Sequence, residues 1–270
     1  MNYHNNDWIN QQINNHYNFA LNLYNQKQII GIFCQGSQNY ELDLPDSDID
    51  TKCILTPTFK EISLAKQPIS TTHILDNNEH LDAKDIRSYM SCFRKQNLNF
   101  LEILFTPYSI INPLYKKQWG RLIEAREQIA HMNPFRAVKS MKGIALEKYH
   151  AMEHAYPSKL DILAKYSYDP KQLHHLVRVD NYLTRYIEGT SYADCLIPEP
   201  EMKKFLLQIK RGEWDLGAAR ELATLTLAHV EKIADDFCAQ SSDMEDPEMR
   251  ELLEDVCYEI MKISVKEELL

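Results

Sequence analysis

The chain has 270 residues, of which 44% are hydrophobic, enough to bury one large core or two smaller ones. Its formal net charge of −9 argues against a protein that coats nucleic acid through an extensively basic surface. The six cysteines lie singly, segment 1–12 is polar rather than signal-like, and no apolar stretch approaches the roughly 20 residues of a membrane helix, so we expect a soluble, cytoplasmic protein without a membrane partner.

The N-terminal part is predicted to mix helices and strands. Apolar side chains recur every three to four residues in segment 5–27, which is the period of a helix on a core. Short apolar, β-branched runs bounded by turn residues predict strands. The predicted elements are a helix over 5–27, strands over 29–34, 48–55, 69–75 and about 79–83, a helix around 86–93 and an apolar element over 100–105.

From about residue 114 onward the apolar spacing is helical. Breaks are expected at Pro134, Pro157, Asp169-Pro170, segment 189–200, Gly212 and Pro247. We therefore predict an α+β fold. It consists of an N-terminal domain over 1–112, with a small mixed sheet and flanking helices, and an α-helical domain over 113–270.

Two carboxylates, Asp48 and Asp50, are predicted to lie side by side on one face of the second strand, together with Lys52. Like charges so close repel, and a divalent ion offsets this, since Mg²⁺ takes one or two carboxylates and completes its shell with water and phosphate oxygens. At the end of the first strand, Gly36 allows close backbone approach and Ser37 offers a hydroxyl and an N–H, which suit a phosphate. The spacing predicts a site for metal-bound phosphate.

The string GSQNYELDLPDSDIDTKCIL resembles the signature of the DNA polymerase beta nucleotidyltransferase superfamily, specifically its RNA-ligase-associated branch of predicted nucleotidyltransferases. The matching residues are Gly36, Ser37, Tyr40, Pro45, Ser47, Asp48 and Asp50. Three further segments are similar to family motifs: NLNFLEILFTP with Asn99 and Glu102, the segment with Lys171, His175 and Arg178, and QIKRGEW. Glu41 departs from the pattern, because members usually have Gly after the aromatic residue.

The resemblance implies a polymerase-beta-like nucleotidyltransferase domain that moves a nucleoside monophosphate from a triphosphate such as ATP to an acceptor hydroxyl, releasing pyrophosphate. An RNA end is the expected acceptor, as in RNA processing, and a protein or a small molecule is the alternative; the basic run within 116–148 would position it. Two Mg²⁺ (or Mn²⁺) ions would be held by Asp48, Asp50 and a third carboxylate, with Asp82 preferred to Glu79 and Asp85. Nucleotide phosphates would contact Gly36, Ser37, Lys171, His175 and Arg178.

Several alternatives stay open at this point. The chain could be a non-catalytic nucleotide- or RNA-binding sensor of the same fold. Asp82 would also make a sensible helix N-cap. The segment HAMEH, residues 150–154, matches the H-x-x-E-H pattern of zinc peptidases, although so short a match often arises by chance. The basic run and the acidic C-terminal run, Asp235 to Asp255, are each typical of solvated helix faces.

Overall fold

A five-stranded mixed sheet lies in the N-terminal part of the computed structural model, which describes residues 2–270, and the C-terminal part is helical. The strands are β1 (Ile29–Gln35), β2 (Asp50–Leu55), β3 (Ser70–Ile74), β4 (His80–Asp85) and β5 (Ser109–Ile111). Their order is β3-β4-β2-β1-β5, with β2 and β4 parallel and the other neighbours antiparallel. The predicted α+β class with a small mixed sheet is confirmed.

The helices include those predicted over 5–27, around 86–93 and after residue 114, and four of the later ones begin at a proline. In chain order they are α1 (Asn6–Leu23), α2 (Phe59–Ser63), α3 (Ile86–Arg94), α4 (Leu98–Leu101), α5 (Lys116–Glu124), α6 (Arg126–Ala130), α7 (Pro134–Ala151), α8 (Leu160–Tyr166), α9 (Pro170–Ile187), α10 (Tyr192–Leu196), α11 (Pro200–Lys210), α12 (Leu216–Gln240) and α13 (Pro247–Leu269). Pro134, Pro170, Pro200 and Pro247 occupy the first turn, where a missing N–H costs no helical hydrogen bond.

Helix α1 covers one face of the sheet. Asn5 caps it by accepting a hydrogen bond from the Trp8 N–H, and Ile9 and Ile13 are buried on the face that meets the strands. Their partners include Ile32 of β1 and Cys53 of β2. The opposite face of the sheet carries Asp50 and Lys52, so the strands separate an apolar core from the candidate site.

Contacts divide the chain into two compact units, and the division differs from the predicted boundary after residue 112. The sheet unit comprises residues 2–132 and Glu245–Leu270, and the helical unit comprises Asn133–Met244. Helix α13 belongs to the sheet unit because it packs against α3 and α5, burying Val256 and Ile260, and because Ser264 donates a hydrogen bond to Thr56 at 2.7 Å. Its apolar spacing indicated a helix but carried no information about its partner.

The helical unit is built around α7, α9 and α12, which pack on one another, with α11 against α9. The side chains of Asn133 and Asp169 cap α7 and α9. Within the part of the chain that the structure describes, none of the helices combines the length and apolarity needed to cross a lipid bilayer.

Candidate active site

The Gly-Ser turn begins where β1 ends. Gly36 has φ 95° and ψ −150°, a backbone conformation that essentially only glycine adopts. A short 3₁₀ turn follows over Ser37–Tyr40. The side chain of Asn39 anchors it by donating to the Cys34 carbonyl at 2.9 Å and accepting from the Thr106 hydroxyl at 2.6 Å. The turn is therefore fixed to the end of the strand, and the space where a Gly36 side chain would stand is open.

Glu41 closes the same turn. The Leu42 N–H donates to the Ser37 carbonyl at 2.9 Å, and Glu41 lies in the left-handed region with φ 56°. Glycine adopts this conformation without strain. Glu41 thus stands where the family pattern has Gly and takes a backbone conformation to which Gly is suited.

Asp48 and Asp50 flank a buried residue at the start of β2. Asp48 is exposed, Ile49 is fully buried and the Asp50 side chain is 27% exposed. The predicted strand start at Asp48 was wrong, because β2 begins at Asp50 and Asp48 lies in the preceding loop. Gln38 ties this loop to the Gly-Ser turn, since its Nε2 donates to the Asp48 carbonyl at 2.8 Å. This hydrogen bond joins the turn to the loop that carries Asp48, the first residue of the acidic pair Asp48 and Asp50.

Asp82 lies on β4, which pairs with the strand of Asp50, and on the same face of the sheet. In the parallel pairing of β2 with β4, Lys52 stands opposite Asp82. The Asp82 carboxylate accepts hydrogen bonds from the Thr72 hydroxyl at 2.6 Å and from the Gln35 amide at 3.5 Å. It is not a helix N-cap, because that position is taken by Asp85.

The two other candidates for a third carboxylate have structural partners. Asp85 is buried, accepts the Arg87 N–H at 2.8 Å and pairs with the Arg87 guanidinium at 2.6 Å. Glu79 is buried beside α1, where it accepts the Ile49 N–H at 3.0 Å and contacts His16 Nε2 at 2.9 Å. The other ring nitrogen of His16 contacts the Thr51 hydroxyl at 2.8 Å. Glu79 therefore supports the acidic pair from the core side of the sheet.

Lys52 is a buried cation on the site face, which is the face of the sheet that carries Asp50 and lies opposite α1. It is 4% exposed, donates a hydrogen bond from Nζ to the Gln35 amide oxygen, and lies 4.9 Å from the centre of the Phe100 ring. Burial, together with the positive charge of Lys84, lowers the pKa of Lys52 to about 8, while the negative charges of Asp82 and Asp50 act in the opposite direction. The ammonium is still mainly protonated at pH 7. Sequence analysis placed Lys52 on this face and assigned it no role.

Lys171, His175 and Arg178 share helix α9 of the helical unit, whereas Gly36, Ser37, Asp48, Asp50 and Asp82 belong to the sheet unit. Lys171 is exposed and Arg178 is buried. Burial, assisted by the charges of His174 and Arg178, lowers the pKa of His175 well below its ordinary value. Its imidazole is neutral at pH 7 and supplies no positive charge to a phosphate. That this face binds nucleotide stays a prediction.

Asn99 and Glu102, the residues of the NLNFLEILFTP similarity, lie around α4. Asn99 is exposed, while Glu102 is buried at the C-terminal end of the helix. The Glu102 carbonyl accepts the N–H groups of Phe105 and Thr106 at 3.0 and 3.1 Å. Through its backbone, Glu102 stabilises the turn that leads to Thr106, which in turn holds Asn39.

The HAMEH segment does not have the geometry of a zinc peptidase motif. Helix α7 ends at Ala151, so Glu153 and His154 lie beyond it. Such a motif requires both histidines one turn apart on a helix. Glu153 is instead paired with the Arg220 guanidinium at 2.6 and 2.9 Å. The peptidase alternative is therefore wrong.

Three of the eight cations within 116–148 are paired with acids between residues 235 and 259. In the sheet unit, Arg121 pairs with Asp255 at 2.8 Å and with Glu259 at 3.1 Å. The pairs in the helical unit are Arg136 with Asp243 at 2.7 Å and Lys142 with Asp235 at 2.6 Å. Paired cations attract an external phosphate less strongly, so these three side chains contribute less to the acceptor-positioning role expected of this run.

The oxygen donors fit a hard divalent ion that also binds phosphate. Asp48 and Asp50 offer solvent-accessible carboxylates at the end of the sheet, and Mg²⁺ in nucleotide sites is held by one or two carboxylates with water and phosphate oxygens. Across residues 2–270, no three His, Cys, Asp or Glu side chains form a preassembled metal-binding group.

No protein-family model matches the chain, and no curated protein is significantly similar to it. Function is therefore inferred from the residues and their geometry.

Replacement of Gly36 by alanine is expected to lower the free energy of unfolding by about 1–3 kcal/mol, because the Gly36 conformation is strained for any residue with a Cβ. The matched control is Gly120→Ala in α5, where added bulk also meets open space but the backbone is helical. There we expect stabilisation by about 0.5–1 kcal/mol. Urea denaturation measures both variants, and equal effects would contradict the backbone explanation.

Proposed function

We propose that the protein is a metal-dependent nucleotidyltransferase that transfers a nucleoside monophosphate to an acceptor hydroxyl. The observation that carries the proposal is the hydrogen bond from Gln38 to the Asp48 carbonyl, which joins the Gly-Ser turn to the acidic pair. The turn has the backbone for a phosphate, and the pair has the charge for a divalent ion. Asp82 on the adjoining strand adds a third carboxylate to the same face.

In the proposed reaction, the acceptor hydroxyl oxygen forms a bond to the α-phosphorus of the triphosphate. The bond from the α-phosphorus to the bridging oxygen of the β-phosphate breaks, and pyrophosphate leaves with its electron pair. The hydroxyl proton passes to solvent. The products are the nucleotidylated acceptor, pyrophosphate and a proton.

The residues of the site have separate tasks. Ser37 and the adjoining N–H groups contact the β- and γ-phosphates, and Asp48 and Asp50 hold Mg²⁺. An ion held there would supply positive charge that lowers the pKa of the acceptor hydroxyl and offsets charge on the in-line transition state. Gln38 holds the turn and the loop of Asp48 in a fixed relative position, so that the bound phosphates would stay next to the carboxylates.

The test uses the purified full chain with each of the four ribonucleoside triphosphates, labelled on the α-phosphate, Mg²⁺ and pools of RNA or protein acceptors. We expect label to enter one acceptor pool and pyrophosphate to form in equal amount. An RNA acceptor is expected first, with protein as the second candidate. Absence of label from every pool, with Mg²⁺ and with Mn²⁺, would count against the proposal.

The sensor alternative is distinguished by binding. Isothermal titration of the same nucleotides, with Mg²⁺ and then with a chelator, separates the two functions. The transferase requires metal-dependent nucleotide binding together with turnover. Binding that survives the chelator, without pyrophosphate release, would identify a non-catalytic nucleotide-binding module.

A further inference from the structure

Two lysines share the site face with the carboxylates, and they are held differently. Lys84, two residues after Asp82 on β4, donates its hydrogen bond to the Ser70 hydroxyl at 2.7 Å, toward the exposed strand β3. Lys52 stands opposite Asp82 on the central strand β2, and it is buried. The Lys84 ammonium also lies over the Phe100 ring, 5.4 Å from its centre, but Lys84 is half-buried, so Lys52 is the buried cation of this face.

A row of hydrogen bonds across the sheet fixes the Lys52 ammonium. Lys52 Nζ donates to the Gln35 amide oxygen, and the Gln35 amide nitrogen donates to Asp82 at 3.5 Å. Thr72 donates to the other oxygen of Asp82 at 2.6 Å. Gln35 is also the register partner of Asp50. The row spans β1, β2, β4 and β3, and it holds the ammonium toward the end of the sheet where the acidic pair lies.

A buried ammonium is costly unless acids offset it. Asp82 supplies that compensation from the position opposite Lys52, to which it is linked through Gln35, and Asp50 lies two residues before Lys52 on the same face. The Phe100 ring at 4.9 Å adds a cation–π contact. The negative charge of these two carboxylates is therefore already balanced in part by a cation of the chain itself. A divalent ion placed beside Asp82 would meet this fixed positive charge and would be repelled by it.

We propose that the Lys52 ammonium takes the place of one of the two divalent ions that the family resemblance implies, so that the site holds a single ion through Asp48 and Asp50. This inference rests on the proposed function. Asp82 then serves as a positioning residue, which orients Lys52 through Gln35 and completes the charge balance.

Counting bound Mn²⁺ tests the inference without any substrate. Mn²⁺ alone is titrated into the purified full chain, and free Mn²⁺ is followed by electron paramagnetic resonance. We expect one bound ion for the wild type and for Lys52→Arg, which keeps the charge. The neutral variants Lys52→Gln and Lys52→Met are expected to bind a second ion. Lys66→Met, which removes an exposed lysine, is the matched control and should bind one ion.

Two bound ions in the wild type, none in the wild type, or an unchanged single ion in both neutral variants would overturn the inference. Circular dichroism checks that each variant is folded. If neither neutral variant folds, the wild-type count alone decides. One ion in the wild type and two in Lys52→Gln, without any nucleotide transfer, would leave this inference standing and overturn only the proposed function. Nucleotide transfer by a wild type that holds two ions would support the proposed function and overturn this inference.

Discussion

Asp50→Asn is expected to lower the rate of the proposed nucleotide transfer by about 10³-fold or more, because the amide removes one charged ligand of the proposed ion and keeps the shape of the side chain. The amide oxygen can still accept the His80 N–H, which Asp50 accepts at 2.8 Å, so the fold is expected to persist. Single-turnover transfer and Mn²⁺ titration measure the effect. The affinity for Mn²⁺ should fall together with the rate.

The matched control for this prediction is Asp46→Asn. Asp46 is an exposed carboxylate of the same loop, two residues before Asp48, so the substitution changes the net charge equally. We expect transfer within about twofold of the wild type, since an exposed charge outside the ion's contact shell is screened by solvent. Equal losses in the two variants would show that the loop's overall charge, rather than metal ligation, is responsible.

Glu79→Ala is expected to lower the free energy of unfolding by about 3 kcal/mol, because it leaves two buried groups without their partner at roughly 1–3 kcal/mol each. These groups are the Ile49 N–H, at 3.0 Å, and His16 Nε2, at 2.9 Å. Urea denaturation followed by circular dichroism measures the change. Because Ile49 separates Asp48 from Asp50, the same variant should also bind Mn²⁺ more weakly.

Two further substitutions serve as controls for the Glu79→Ala prediction. Glu79→Gln keeps an oxygen for the Ile49 N–H, and we expect it to cost about 1 kcal/mol, the net value of one hydrogen bond. Asp76→Ala removes an exposed carboxylate from the adjacent turn and should change stability by no more than about 0.5 kcal/mol. A loss for Glu79→Ala as small as that for Asp76→Ala would show that the buried network does not support the loop.

The sheet was predictable where a local pattern carries the information. Alternation from Ile49 to Leu55 located β2 and placed Asp50 and Lys52 on one face, because the strand period is two residues. Strand β5 was missed, since it has three half-buried residues and pairs with β1 at the sheet edge. So short a segment has no measurable period, and only its partner strand defines it.

The supporting groups of the site were beyond the reach of sequence reasoning. His16 contacts Glu79 from 63 positions away and Thr51 from 35, so no spacing rule connects them. The opposition of Lys52 and Asp82 likewise depends on the register of two parallel strands. The acidic pair and the Gly-Ser turn were recognisable because their chemistry is local. The groups that hold them in place become visible only when the chain is folded.

The return of α13 to the sheet unit has a consequence for biosynthesis. Residues Asn133–Met244 are made between the two segments that form that unit, so the segment that covers α3 and α5 leaves the ribosome after the whole helical unit. Until then Tyr115 and Thr56, which are fully buried in the finished protein, lack part of their covering. The sheet unit therefore stays partly uncovered during synthesis until its last helix has been made. The helical unit is the part that can complete its own folding first.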